Sequence, residues 1–196
     1  MRIGLSSRKH VPALFLDGNK TAFPLWKYRF VRAFEKSGMK LDEVGFNALS
    51  ELQQGYYKPP FSLVGKTVLD IGACCGETAW YFIKVLGAKK VYCVECDKKR
   101  IDILNWNSLV CNLNTEVYPQ HFNLGHLALP VHFIKCDVEG AESLLLKYID
   151  FGLKLVPCVL EAHNKQIRDE FLARGFRITK VFSTNECIMV NWSKQK

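Results

Sequence analysis

The sequence predicts an α/β fold with a largely parallel sheet, and three observations predict it. Short apolar runs alternate with segments whose apolar residues recur at helical spacing. A glycine-containing turn joins one such run to an amphipathic segment and a second run. Acidic residues stand at the ends of several runs, and open α/β sheets bind their ligands outside the carboxyl ends of the strands.

The chain is organised around Lys66 to Glu95. Thr67 to Ile71 is a short apolar run of the kind buried in a parallel sheet, and the turn Gly72-Ala73-Cys74-Cys75-Gly76 follows it. Beyond Gly76, the residues Ala79, Trp80, Phe82, Ile83 and Leu86 fall on one helical face, and Gly87 supplies the stop. Val91 to Glu95 is a second buried strand, about 20 residues past the turn, where a nucleoside-binding unit places its ribose carboxylate. Glu95 is the candidate for that role. The turn lacks the middle glycine of G-x-G-x-x-G, so a nucleoside without a pyrophosphate fits it better. Asp70 at the strand tip opposes a polyphosphate and suits the ammonium and sulfonium of S-adenosylmethionine. A βαβ unit without any ligand is the alternative.

The whole chain sets bounds. Its 196 residues, 48% of them apolar, suit one domain with an appendage and a sizeable core. No run reaches the ~18–20 apolar residues needed to span a bilayer, and no apolar signal region follows the first charges, so a cytoplasmic protein is expected. The eight cysteines lie mostly in predicted strands or at their tips and are expected to be reduced. Cys93-x-x-Cys96 has ligand spacing, but no second pair or nearby histidine completes it, so no metal is expected. Formal net charge is +8, and residues 1–60 carry ten Lys/Arg against five Asp/Glu. That asymmetry marks either a nucleic-acid footprint or a solvated face.

Taken in order, Val11 to Leu16 and Thr21 to Phe23 flank Asp17-Gly18-Asn19 and predict a hairpin. Trp26 to Lys36 has helical spacing with interleaved bases, ended by Ser37-Gly38. Leu41 to Tyr57 predicts a second helix broken by Gly55, and Pro59-Pro60 is the best boundary in the chain. Residues 1–60 are therefore expected as an N-terminal extension of hairpin and helices, and 61–196 as the main domain. After Glu95, Asp97 can cap a helix running to about Cys111, and Thr115 to Tyr118 is a third strand. Gln120 to Pro130 is expected to be irregular, with His121 and Asn123 placed where a bound base would lie. Val131 to Cys136 is strand four and delivers Asp137-Val138-Glu139-Gly140-Ala141-Glu142 ahead of a helix. Asp137 capping that helix, with Glu139 and Glu142 serving its dipole, is the alternative to a catalytic role. Leu155 to Glu161 is strand five, followed by Ala162-His163, so His163 and Asp137 could face one cavity. A short helix over 164–174 and a closing strand pair, Phe176 to Phe182 and Glu186 to Trp192, complete the chain.

The residues VLDIGACCGETAWYF at 68–82 resemble the first motif of FkbM-type methyltransferases, with Asp70, Gly72, Ala73, Gly76 and Thr78 fitting it. The same family carries D-V-E-G-A-E after an apolar strand, here Asp137 to Glu142, and an E-x-H-like strand end, here Glu161 and His163. The resemblance covers about residues 66–192. It implies a class I Rossmann-like methyltransferase fold, a seven-stranded mixed sheet whose last strand is antiparallel. It implies S-adenosylmethionine as cofactor and methyl transfer to a hydroxyl oxygen of a small molecule or sugar. The candidate cofactor contacts are Asp70, Gly72, Ala73, Gly76, Glu77, Thr78, Glu95, Cys96, Asn123 and Asp137. The segment between strands three and four is shorter than the family usually has, and residues 1–60 match nothing in it.

A hydroxyl acceptor needs a base within hydrogen-bond reach, and Asp137, then His163, then Glu139 are the candidates. Two other readings stand beside this one. An RNA or tRNA methyltransferase would use the basic N-terminal region, and a cofactor-binding interaction domain would bind without turnover.

Overall fold

The computed structural model describes residues 2–5, 12–15, 23–24, 36–138, 140, 142–150 and 155–192. The helix expected over Trp26 to Lys36 and the hairpin turn at Asp17-Gly18-Asn19 lie almost wholly outside these residues, as does Glu139. Ten strands are described, in two sheets. The first sheet contains β1 (Arg2–Leu5), β2 (Pro12–Phe15) and β3 (Phe23–Pro24), each antiparallel to the next. The expected hairpin is β2 and β3, while β1 falls in a stretch whose sequence carries no alternation long enough to announce a strand.

The second sheet has seven strands: β4 (Thr67–Ile71), β5 (Lys90–Glu95), β6 (Thr115–Pro119), β7 (Phe133–Cys136), β8 (Cys158–Ala162), β9 (Arg177–Val181) and β10 (Cys187–Val190). Their order is β6-β5-β4-β7-β8-β10-β9, with β10 antiparallel to both its neighbours and β4 to β8 parallel. The chain winds outward from β4 to β6 and then crosses to β7, so the order reverses between β4 and β7. Such a switch point opens a crevice at the strands' carboxyl ends. β8 starts later than the sequence suggests, because Pro157 gives its carbonyl to Ile134 but has no N–H for the ladder.

Side chains alternate across the sheet and build two cores. Val68, Val91, Phe133 and Val190 face one side, against Phe82, Trp80 and Leu104. Leu69, Ile71, Ile134 and Leu160 face the other, against Leu145, Leu146 and Phe171. Helix α1 (Glu43–Gln54) begins where the Asp42 side chain accepts from Gly45 N, and it ends at Gly55 in the left-handed region. Its Leu49 and Leu52, with Tyr57 and Leu63, belong to the first core, so the segment before Pro59-Pro60 is packed against the sheet's helices. Helix α2 (Glu77–Trp80) widens into a π-helical turn over Tyr81–Val85. Helix α3 (Lys98–Val110) is capped by Asp97, as its sequence predicts. On α3 the buried Asn107 donates to Lys40 O and Cys75 O, both at 2.7 Å, which ties the segment before α1 to the glycine turn. The stretch 120–130, expected to be irregular, contains a five-residue 3-10 helix, Leu124–Ala128, closed by a capping box between Asn123 and His126. Helices α4 (Ser143–Asp150) and α5 (Lys165–Ala173) cover the second face.

Candidate active site

A cavity of about 430 Å³ lies at the carboxyl edge of the second sheet. Its wall takes Gly72 and Cys74 after β4, Glu95 and Cys96 at the end of β5, and His121 after β6. Asp137 follows β7 and His163 follows β8, while Val44 of α1 and Arg100 of α3 close the rim.

Three strands meet at Gly72. Gly72 N and Ala73 N donate to Val94 O, and Asp137 N donates to Ile71 O. Gly72 has φ +75, and a Cβ there would lie 1.9 Å from Asp137 O, so only glycine lets the β7 loop pass this close. Glu95 is buried, and its carboxylate accepts from Cys74 N (2.9 Å), Cys96 N (2.8 Å) and Asp97 N (2.9 Å). A carboxylate has about four lone-pair sites. One therefore remains for a ligand hydroxyl, and a second hydroxyl would displace an N–H.

Beneath this wall is an ion pair that the sequence reading did not anticipate. Lys135, 2% exposed, lies opposite Asp70 in the β4–β7 register and approaches Asp70 Oδ1 at 3.2 Å and Asp137 Oδ2 at 3.7 Å. Its Nζ also donates to Gly72 O at 2.6 Å. Burial alone would lower the lysine's pKa, but the Asp70 and Asp137 carboxylates outweigh it and raise it. Asp70 is fully buried and accepts from Thr78 Oγ1, and burial outweighs Lys135 to raise its pKa.

Behind Asp137, Tyr57 OH is 3.1 Å from each of Asp137 Oδ2, Glu161 Oε2 and Glu51 Oε2. One phenolic proton can satisfy only one of them at a time. The cluster therefore crowds negative charge. Burial, then Asp137 and Glu51, push Glu161 up to about 7, and burial, then Asp137, raises Glu51. Tyr57 is raised well above its ordinary value by burial and the same carboxylates. His163 lies between two acids, with Nδ1 2.5 Å from Glu142 Oε1 and Nε2 3.5 Å from Asp137 Oδ1. The Glu142 bond and, against the cost of burial, the Asp137 charge push it up to about 9. At neutral pH it is an imidazolium, a donor on both nitrogens.

Of the sequence candidates, Gly72, Glu95, Cys96, His121, Asp137 and His163 meet at the cavity wall. Others do not reach it. Asp70 and Thr78 bond each other below the floor, and Ala73 is buried in the first core. Gly76 is the N-cap of α2. Glu77 is buried beneath α1, where a Cβ on Gly45 would lie 3.3 Å from its Oε2, and burial, then Cys74, raises its pKa well above the usual range. Asn123 spends its side chain on Gly125 N. Asp137 does not cap α4, which begins at Ser143; Glu142 immediately precedes that helix, where its carbonyl accepts from Leu145 N, and its fully buried carboxylate also meets His163. Cys93 is buried on β5 and Cys96 is exposed beyond its end, and all eight cysteines are free. Asp137, Glu161 and His163 bring donor atoms within 4.8 Å of one another.

No protein-family model and no curated protein matches the sequence. Solved structures do match. Precorrin-6y C5,15-methyltransferase from Geobacter metallireducens aligns with 75% of this chain and 87% of its own at 13% identity and a TM-score of 0.57. Fibrillarin from Aeropyrum pernix, solved with bound S-adenosyl-L-methionine, aligns over 74% and 73% at 16% identity and 0.54. A putative RNA methyltransferase from Pyrococcus horikoshii aligns over 85% and 95% at 22% identity and 0.51. The chain has the Rossmann-like fold of class I methyltransferases. In that fold the cavity occupies the crevice beside the β4–β7 switch point.

Proposed function

We propose that the chain is an S-adenosylmethionine-dependent methyltransferase acting on a hydroxyl oxygen of a small molecule or sugar. One observation carries this reading: Glu95 and the Asp137–His163 pair stand on the walls of a single cavity, next to a glycine whose missing side chain keeps the backbone close. The residues fit the cofactor, since Glu95 keeps an acceptor site for a ribose hydroxyl and 430 Å³ suits a ligand of nucleoside size. Fibrillarin and a putative tRNA (m1A22) methyltransferase from Streptococcus pneumoniae, both solved with S-adenosyl-L-methionine, support the same ligand. When bound, the cofactor supplies an electrophilic methyl group on a cationic sulfur.

The chain's own part is to hold the acceptor and manage its proton. Asp137 takes the proton of the acceptor hydroxyl, because its carboxylate lines the cavity, where Lys135 and His163 hold it in place. His163, protonated and fixed by Glu142, positions Asp137 rather than acting as the base. Holding an acceptor at near-attack distance can supply ~7–11 kcal/mol. Residues 1–60 form the extension through which Val44 and Tyr57 reach the site, with residues 61–196 as the catalytic domain. Eight free thiols support a reducing, cytoplasmic setting, and among the described residues no helix is long and apolar enough to cross a membrane.

A second reading takes RNA as acceptor. Lys98 and Lys99 are exposed on the first turn of α3, beside Arg100 on the cavity rim, and the chain carries +8. Retention on RNA that falls steeply with salt would favour it.

Calorimetric titration with S-adenosylmethionine tests the proposal. Micromolar binding that Glu95→Ala weakens at least about tenfold, or 1.4 kcal/mol, supports it. Absence of binding to folded protein overturns it. Asp137→Asn that binds the cofactor normally but abolishes methyl transfer to a responsive acceptor pool separates an enzyme from a binding module.

A further inference from the structure

The glycine turn contains two adjacent cysteines that the proposed methyl transfer does not use. In an extended chain neighbouring side chains point to opposite faces, yet here Cys74 Sγ and Cys75 Sγ are 4.0 Å apart. Cys74 Sγ is also 3.9 Å from Asp42 Oδ1, and donor atoms of all three residues lie within 4.8 Å of one another. A tetrahedral ion with metal–sulfur bonds of about 2.3 Å and a metal–oxygen bond of about 2.1 Å separates its sulfurs by about 3.8 Å and sulfur from oxygen by about 3.6 Å. The two separations that involve Cys74 are therefore within a few tenths of an ångström of a ligand set, and the third is no more than 4.8 Å.

The surroundings favour such an ion. The second oxygen of Asp42 is fixed by Arg100 Nε at 3.0 Å, and Oδ1 accepts from Gly45 N at 2.8 Å, so the carboxylate is held from outside as metal ligands are. A divalent ion with two thiolates and one carboxylate carries a net charge of −1, which Arg100 balances. Of the three, Cys74 lines the cavity. Two sulfurs and one oxygen select a soft or borderline d10 ion over magnesium or calcium. Asp42 belongs to the N-cap of α1 and the cysteines to the β4–α2 turn, so the ion would clasp the N-terminal extension to the site.

We propose that Cys74, Cys75 and Asp42 form a binding site for one soft divalent cation, Zn²⁺ or Cd²⁺, at the wall of the cavity. This assignment does not depend on the methyltransferase reading.

The probe is Cd²⁺ added to reduced, chelator-treated full-length protein, read by ultraviolet thiolate-to-metal charge transfer and by thermal unfolding. One equivalent is expected to bind at micromolar concentration or tighter, raise the unfolding temperature, and be displaced by Zn²⁺. Cys75→Ser and Asp42→Asn should each lower affinity by about 10–100-fold or more, whereas Cys96→Ser leaves it unchanged. Circular dichroism of each apo variant checks that it is folded, and Cys74→Ser repeats the test on the second thiol. No band in the wild type, or a band that survives Cys75→Ser and Cys74→Ser but vanishes with Cys96→Ser, overturns the proposal as adventitious binding at an exposed thiol. Cofactor titration of the metal-free protein is a separate measurement, so failure of one assignment does not mask the other.

Discussion

Replacing Lys135 by methionine should destabilise the fold by about 3–5 kcal/mol, because it strands a buried carboxylate. The ammonium is 3.2 Å from Asp70 Oδ1, where both side chains are almost fully buried, at 2% and 0% exposure. At an effective dielectric of about 20, that separation corresponds to roughly 5 kcal/mol of attraction. Desolvation of the two groups offsets most of it, so the pair adds little net stability, but losing one partner leaves the other's burial uncompensated. Asp137 Oδ2 and Gly72 O lose the same neighbour. Against a total of about 5–15 kcal/mol for a domain, this is a large fraction. Urea unfolding at neutral pH measures it. The double variant Asp70→Asn with Lys135→Met should recover at least half the loss, since it removes the stranded charge and keeps a Thr78 partner. The pH dependence has a definite sign. The raised pKa of Asp70 climbs further without Lys135, so the folded state binds its proton more tightly than the unfolded state. The deficit of the single variant should shrink as pH falls through that pKa. A single variant within about 1 kcal/mol of wild type, or a double variant no more stable than the single, would refute the account.

Two further outcomes follow from the same geometry. Wild-type stability should decline as pH rises, in two stages: Glu161, about 7 when folded against 4.5, contributes stability at low pH that is lost through about 7, and His163, about 9 against 6.5, contributes stability present below 6.5 and lost through about 9. Urea midpoints across this range should show the later stage as a loss on the order of 3 kcal/mol at most, reduced by solvent screening of the partly exposed ring, with Glu161→Gln removing the earlier stage and His163→Gln the later one; a flat profile in wild type would count against the cluster. Gly72→Ala combines a left-handed backbone with a Cβ 1.9 Å from Asp137 O, so it should cost more than the ~1–2 kcal/mol of the backbone strain alone and displace the β7 loop; unchanged melting together with unchanged cofactor affinity would show that the loop gives way freely.

The central βαβ unit was readable because its signals are local. Apolar runs of strand length, a helical stripe and glycines at both turns fall within thirty residues, and Glu95 is found where spacing places it. The roles within the turn were not readable in the same way. Asp70, Glu77 and Thr78 sit in the right motif but point below the floor or beneath α1, and motif position says nothing of side-chain direction. Tyr57 was hidden for another reason, since it sits 80 and 104 residues from its partners Asp137 and Glu161, and only the return of the chain over the sheet edge unites them.

Lys135 is the instructive case, because a signal for it was present. The run Phe133–Cys136 is buried at every position, and so is Thr67–Ile71 after its first residue. A charged residue in a strand buried on both faces must find its opposite nearby, and each of these two strands contains a single charge, of opposite sign. Strands on either side of a switch point are neighbours, so Asp70 and Lys135 had few other places to pair. The pair also joins the two strands whose loops meet at Gly72 and Asp137. The charge that interrupts each apolar run is thus the means by which the core fixes the position of the proposed base.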